Sequence, residues 1–263
     1  MAKGGVPFWD TAAGARGNML PARTPAYSFL SHFGTPGRKW TTALRAIAKR
    51  QTFFYNLRFV GCRMKKNILL VNCYREKAED KIKGYHNWLN AGAAAAGLEL
   101  SARDAGDHEP LPIVAEFTAV IVTGSQKMVG DGEIDPGLLE FLRGNRWPLL
   151  GICYGHQVLA RAFGCLVKRD ERKHLGEEEI FLNKTNPLFS AFPPMFKMSE
   201  SHEEIVMRDY DLEKEFMVLA ESRYGLVEAI RHREYPLFGV QFHPEKSGEL
   251  GVRLLMNFLK MIP

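Results

Sequence analysis

From Lys65 onward, short apolar runs alternate with longer stretches whose apolar positions recur at helical spacing. Asn67-Ile-Leu-Leu-Val-Asn-Cys73 predicts a compact strand. Lys81 to Ala96, rich in alanine and closed by Gly97, predicts a helix, and Leu98 to Arg103 a second strand. Phe117 to Thr123 is an unbroken apolar and β-branched run, the signature of a strand buried on both faces. Asp135 to Arg143 reads as a helix with Pro136 at an early position, Trp147 to Cys153 as a buried strand, and His156 to Phe163 as a helix ending at Gly164. Beyond it the segments shorten into strands at Glu179–Leu182, Met195–Ser199, Phe216–Ala220, Val227–Arg231 and Leu237–Phe242, with a closing helix from about Glu249 to Met261. Such alternation predicts an α/β fold: a doubly wound, mostly parallel sheet with helices on both faces, its site beyond the carboxyl ends of the strands.

The first 63 residues lack this organisation. Gly, Pro, Ser and Thr are scattered through Gly14 to Gly37, and only Thr41 to Arg50 suggests a short helix. The division expected is therefore a basic leader over 1–63 and a domain over 64–263. Three readings fit the leader: a transit peptide, a disordered basic arm, or an upstream extension of a chain whose translation starts at Met64, the reading favoured here.

Charge sharpens the division. Residues 1–63 hold ten Lys/Arg and one acid, a balance of +9; against +5 for the whole chain, the other 200 residues carry −4. The basicity belongs to the leader, so no nucleic-acid partner is expected for the domain. No run approaches the roughly 18 consecutive apolar residues of a membrane span, so no membrane partner is expected either. Four cysteines with no C-x-x-C pair and no zinc-type spacing point to a reducing, cytoplasmic setting, without metal or other cofactor.

Gly151-Ile-Cys153-Tyr-Gly155-His-Gln157 has the form of a nucleophile flanked by glycines at a strand-to-helix junction. The turn strains the backbone at the nucleophile, and the glycines leave room for the neighbouring strand and helix. The helix start offers free N–H groups and a positive dipole end, which favour the thiolate. The Tyr154 amide, next along, is placed to donate to an oxyanion. Cys73 and Cys165 lack these neighbours and read as packing residues.

A thiol nucleophile needs a base, and the base needs a carboxylate to fix its tautomer. Gly239-Val-Gln-Phe-His243-Pro-Glu245 supplies both. Residues two apart in an extended segment face the same side, and Pro244 is expected to keep this segment extended, so Glu245 can steady the His243 ring. His156 is expected to pack or hydrogen-bond at the helix start; His32, His86, His108, His174 and His232 have no comparable context.

These motifs resemble those of the class I, or triad-type, glutamine amidotransferases over essentially all of residues 65–263. Val122-Thr-Gly124-Ser125 is similar to the family's oxyanion loop. The resemblance implies a flavodoxin-like fold and a reaction in which Cys153 attacks the side-chain amide of glutamine, releasing ammonia and then glutamate. His243 would shuttle the protons, with Glu245 completing the triad. It further implies an oxyanion N–H pair from Gly124 and Tyr154, and substrate contacts from Ser125, Gln157, Ser201 and His202. Ser201-His-Glu-Glu-Ile-Val206 is similar to the Ser-His-Gly-Asp-Lys-Val segment of GMP synthetase glutaminase domains, with Glu203 in place of glycine. The tail from His243 through Asn257-Phe258 is similar to the glutaminase subunit of imidazole glycerol phosphate synthase.

Gly124 to Gly132 lacks the Gly-Lys-[Ser/Thr] of a phosphate loop, and only 18 residues follow Glu245. The expected role is glutamine hydrolysis for a separate synthase subunit of GMP synthetase type. Two alternatives are a γ-glutamyl hydrolase that works without a partner and a non-catalytic binding module of the same fold.

Overall fold

The computed structural model describes residues 65–112 and 114–262. The leader, with its expected helix at Thr41 to Arg50, lies outside the described residues. Nine strands form a single sheet: β1 (Lys65–Asn72), β2 (Glu99–Gly106), β3 (Ala119–Val122), β4 (Leu149–Ile152), β5 (Val167–Leu182), β6 (Met195–Val206), β7 (Phe216–Ser222), β8 (Val227–His232) and β9 (Leu237–Val240). Their order is β2-β1-β3-β4-β9-β8-β7-β5-β6. The first five in that order are parallel, and the remaining pairings are antiparallel. Helices α1 (Ala78–Ala96), α2 (Pro136–Gly144), α3 (Tyr154–Ala162), α4 (Tyr210–Glu215) and α5 (Gly248–Met261) complete the fold.

The period-two alternation of strand side chains builds two cores. On β1, Ile68 and Leu70 pack with Tyr85, Trp88 and Leu89 of α1 and with Leu254 and Leu255 of α5. Leu69 and Val71 face the other way, towards Leu138 and Leu142 of α2 and Val158 and Leu159 of α3. This is the doubly wound arrangement expected. Local chemistry fixes the helix ends. Gly97 takes a left-handed φ of 68° and its N–H returns to the carbonyls of Ala93 and Ala94. The Asp135 carboxylate accepts from the Gly137 and Leu138 amides at the start of α2.

Two strands are far longer than expected. β5 begins at Val167 and β6 runs on to Val206, whereas only Glu179–Leu182 and Met195–Ser199 have strand-like character in the sequence. Lys168 to Glu179 is dense in charge, so it carries no apolar alternation; its backbone is held by pairing with β6, with an irregularity between Arg169 and His174. β6 is last in the sheet, yet the Ser199 carbonyl accepts from the His243 amide at 2.8 Å, just past β9. The antiparallel half thus curls back over the carboxyl ends of the parallel half.

Candidate active site

Cys153 stands alone between β4 and α3, at φ 51° and ψ −103°. A positive φ is costly for a residue with a Cβ, and the surroundings over-determine it. The Cys153 amide donates to the Val240 carbonyl of β9 at 2.8 Å, and the Gly155 amide to the Thr123 carbonyl beyond β3 at 3.2 Å. A Cβ on Gly151 would lie 2.5 Å from the Gly155 carbonyl oxygen, and one on Gly155 would lie 2.5 Å from that of Val122. The glycines let the helix start directly on the strands. Cys153 itself is 4% exposed.

His243 follows β9, and its Nδ1 is 2.7 Å from Glu245 Oε1, both side chains being buried. Contrary to expectation, the segment is not extended. Pro244–Lys246 is a 3-10 turn, and His243 has φ −102° and ψ 89°. Proline at the first position suits a helical turn as well as an extended one, and Ser247 closes it by donating its hydroxyl to the His243 carbonyl at 2.7 Å. Burial alone would depress the His243 pKa. Charge on the Cys153 sulfur and Glu245, together with hydrogen bonds to both, outweighs that and raises it to about 10. Burial likewise opposes the Glu245 anion, but His243 more than offsets it and leaves the carboxyl below its ordinary range. By contrast, burial pushes the Cys73 thiol well up and that of Cys165 up to about 12, as suits packing residues.

The two expected oxyanion amides are placed differently. Tyr154 opens α3, where the first N–H groups have no intrahelical acceptor. The Gly124 amide, however, donates to the Tyr85 hydroxyl at 3.0 Å, so in this conformation it does not serve an anion on the substrate. Tyr85 is fully buried on α1 beside Tyr74, and neither tyrosine stands out in the sequence.

A cavity of about 250 Å³ opens on Cys153, walled by Ser125 to Met128, Tyr154, Gln157 and Ser201 to Glu204. Ser125 donates its hydroxyl to the Cys73 carbonyl at 2.7 Å and accepts from the Lys127 amide. Gln157 is almost fully buried, its amide nitrogen donating to the Glu204 carbonyl and Gln241 Oε1. The Ser201 carbonyl lies 3.8 Å from Cys153 Sγ, within reach of the thiol hydrogen. The ring nitrogens of His202, which lines the cavity, lie against the Glu204 carbonyl and Glu200, and its ring stacks on His174. Glu200, His202 and Glu228 bring one potential ligand atom each within 4.8 Å of one another, a grouping with no counterpart in the sequence spacing. His156 is buried against Gly239, and burial lowers its pKa to about 3.

Sequence patterns also leave Glu204 unmarked. Its carboxylate accepts from the Val129 amide at 2.6 Å and the Gly130 amide at 2.8 Å, tying the loop after β3 to β6. Lys127 and Asp107 form a buried ion pair beside that loop.

The profile described as "Glutamine amidotransferase class-I" matches residues 79–262. The chain belongs to the class I glutamine amidotransferases. Over 147 residues it is 36% identical to a glutamine-hydrolyzing GMP synthase subunit of Methanococcus aeolicus, covering 56% of this chain and 74% of that protein. "Anthranilate synthase component 2" of Methanothermobacter thermautotrophicus is 39% identical over 115 residues, 43% of this chain and 58% of its own length. Among solved structures, a putative GMP synthase subunit from Thermoplasma acidophilum superposes with a TM-score of 0.64 at 18% identity, covering 76% of this chain and 95% of that one. At that identity the likeness bears on the fold, and it agrees with the expected one. Among the described residues no helix is long and apolar enough to cross a membrane.

Proposed function

We propose that the amidotransferase uses Cys153, His243 and Glu245 as a catalytic triad to hydrolyse the side-chain amide of glutamine. The observation that carries this reading is Cys153 at positive φ, opening on a cavity, with a buried His243–Glu245 pair whose proton affinity depends on the Cys153 sulfur. With its proton already held by the His243 imidazolium, the Cys153 sulfur attacks the γ-carbonyl. His243 then gives the proton to the leaving nitrogen, and ammonia departs from a γ-glutamyl thioester. Water, deprotonated by His243, attacks the thioester to release glutamate and regenerate the thiol. The Tyr154 amide stabilises the oxyanion, and Gly124 joins it once its amide leaves Tyr85. Ser125, Gln157 and the Ser201 backbone shape the glutamine site.

The ammonia goes to a separate synthase subunit. The relatives named as glutamine-hydrolyzing subunits of GMP synthase favour a nucleotide-aminating partner. The test is glutamine hydrolysis with and without a GMP synthase catalytic subunit. Cys153→Ala should abolish it; an unchanged rate would sink the triad assignment. One observation favours a second reading as a γ-glutamyl hydrolase. A cleft of about 710 Å³, lined by Tyr74, Arg75, Asp107, His108 and Glu133, shares Lys127 with the cavity and has room for a leaving group larger than ammonia. Higher kcat/KM on γ-glutamyl amines than on glutamine would favour that reading.

A further inference from the structure

Three buried side chains, one of them in the cavity wall, have no part in the chemistry above. Glu200 and His202 are two apart on β6 and share a face, with Ser201 directed the opposite way between them. Glu228 reaches the same point from β8, two strands away from β5 and its partner β6 in the curled sheet. All three are more than nine-tenths buried, at 3%, 6% and 1% exposure respectively. His202 Nδ1 is 2.9 Å from the Glu204 carbonyl, which can only accept, so that nitrogen carries a hydrogen. Its Nε2 is 3.1 Å from Glu200 Oε2, and one Glu228 carboxylate oxygen lies within 4.8 Å of a polar atom on each of the other two side chains. Among the described residues the Glu200 oxygens, Glu228 Oε2 and His202 Nε2 are buried without a well-aligned hydrogen bond. Protons shared among these neighbouring atoms would satisfy them from within. Two adjacent buried carboxylates cannot both stay ionised, so protons must lie between these atoms.

We propose that Glu228, Glu200 and His202 share protons as one chain and act as positioning residues that hold the Ser201 carbonyl against the Cys153 thiol. The backbone they fix on both sides of Ser201 is the segment whose carbonyl meets Sγ at 3.8 Å. This rests on Cys153 being the nucleophile. Burial, opposed by the neighbouring Glu228 and by His243 and reinforced by Glu178, pushes Glu200 up to about 8; burial with Glu200 raises Glu228 well above its ordinary range. Glu178 is itself paired with Arg223 at 3.2 Å. Burial lowers His202, which faces Glu228, Asp170 and His243 and stacks on His174. A carboxyl raised in the folded state is native in its neutral form, so the chain is intact below its raised pKa and opens as pH climbs through about 8.

Glu200→Gln preserves both links, its carbonyl accepting from Glu228 and its amide donating to His202 Nε2, but it cannot titrate. Glu200→Ala removes both. The experiment measures kcat and KM for glutamine across pH. In parallel it follows iodoacetamide labelling of the Cys153 peptide, which needs no glutaminase activity. Glu200→Ala should lower kcat on the order of a hundredfold through misplacement at the nucleophile, with a smaller change in KM. Glu200→Gln should recover most of that loss and erase a break near pH 8 seen in the wild-type labelling profile. If Glu200→Ala fails to fold, the comparison of wild type with Glu200→Gln decides alone. A Glu200→Gln protein as impaired as the alanine variant, a break that persists in it, or a stoichiometric metal found by elemental analysis and lost on Glu200→Ala would each overturn the proposal. A wild type that hydrolyses no glutamine yet shows the break, erased in Glu200→Gln, would sink the glutaminase reading and leave the chain standing.

Discussion

At the scale of single residues the site turns on where protons sit between Cys153, His243 and Glu245. His243 is a base whose pKa is raised to about 10, so its imidazolium is present through neutrality and lost as pH rises through that value. The stability it contributes has the same sign, being complete below the ordinary histidine value of about 6.5 and gone above the raised one. Glu245→Gln removes one of the two charges that raise it. The alkaline limb of kcat/KM should therefore move to lower pH, with kcat reduced on the order of a hundredfold or more because the ring loses its orienting anion. An alkaline limb that stays in place would mean Glu245 does not act on His243. Tyr85→Phe makes a different point. It keeps the packing of α1 but removes the acceptor that holds the Gly124 amide at 3.0 Å. Stability should fall by about 1–2 kcal/mol in urea unfolding, while glutamine hydrolysis without a partner should rise as that amide becomes free for an oxyanion. The contiguous motifs, residues 151–157 and 243–245, were legible because their chemistry is local in sequence. Tyr85, Glu204 and Ser199 were not: they act on Gly124, Val129 and His243, respectively 39, 75 and 44 residues away.

At the scale of elements, packing decides where the functional turn sits. Gly251 on α5 lies directly against the Pro244 carbonyl, and a Cβ there would overlap it. The Gly251 carbonyl in turn accepts from the Trp88 indole of α1 at 2.9 Å. Gly251→Ala must push the turn that carries Glu245 away from α5, although alanine is the better helix former. We expect a loss of about 1–3 kcal/mol in denaturant unfolding, as for overpacking, and a lower kcat from the displaced carboxylate. Greater stability with unchanged kcat would show that the close approach is unimportant. Four of the five helices and the parallel strands were legible from apolar periodicity, to within a few residues at their ends; the short α4 was not. The long β5–β6 pair was not, because Lys168 to Glu179 is held by backbone pairing rather than by an apolar face. The His-Pro-Glu segment misled for a related reason: proline fixes φ at a value that both extended and 3-10 backbone share, and the Ser247 hydroxyl, four residues on, decides between them.

At the scale of the whole molecule the charge is divided as sharply as the hydrophobic pattern. Residues 65–262, which carry the sheet, its two cores and the site described above, have a net negative charge, whereas residues 1–63 carry +9. Long-range attraction to a polyanion follows the summed local charge and is screened beyond about 8 Å at physiological ionic strength. Retention of the full chain on a heparin column should therefore come from residues 1–63 and collapse as salt is raised. A chain beginning at Met64 should pass through unretained, with kcat for glutamine equal to that of the full chain, since none of the side chains proposed for the reaction lies upstream of it. Retention of the shorter chain would place a basic surface on the domain despite its negative balance. A large loss of kcat on truncation would instead make the leader part of the enzyme's working structure, and would overturn the division at Met64.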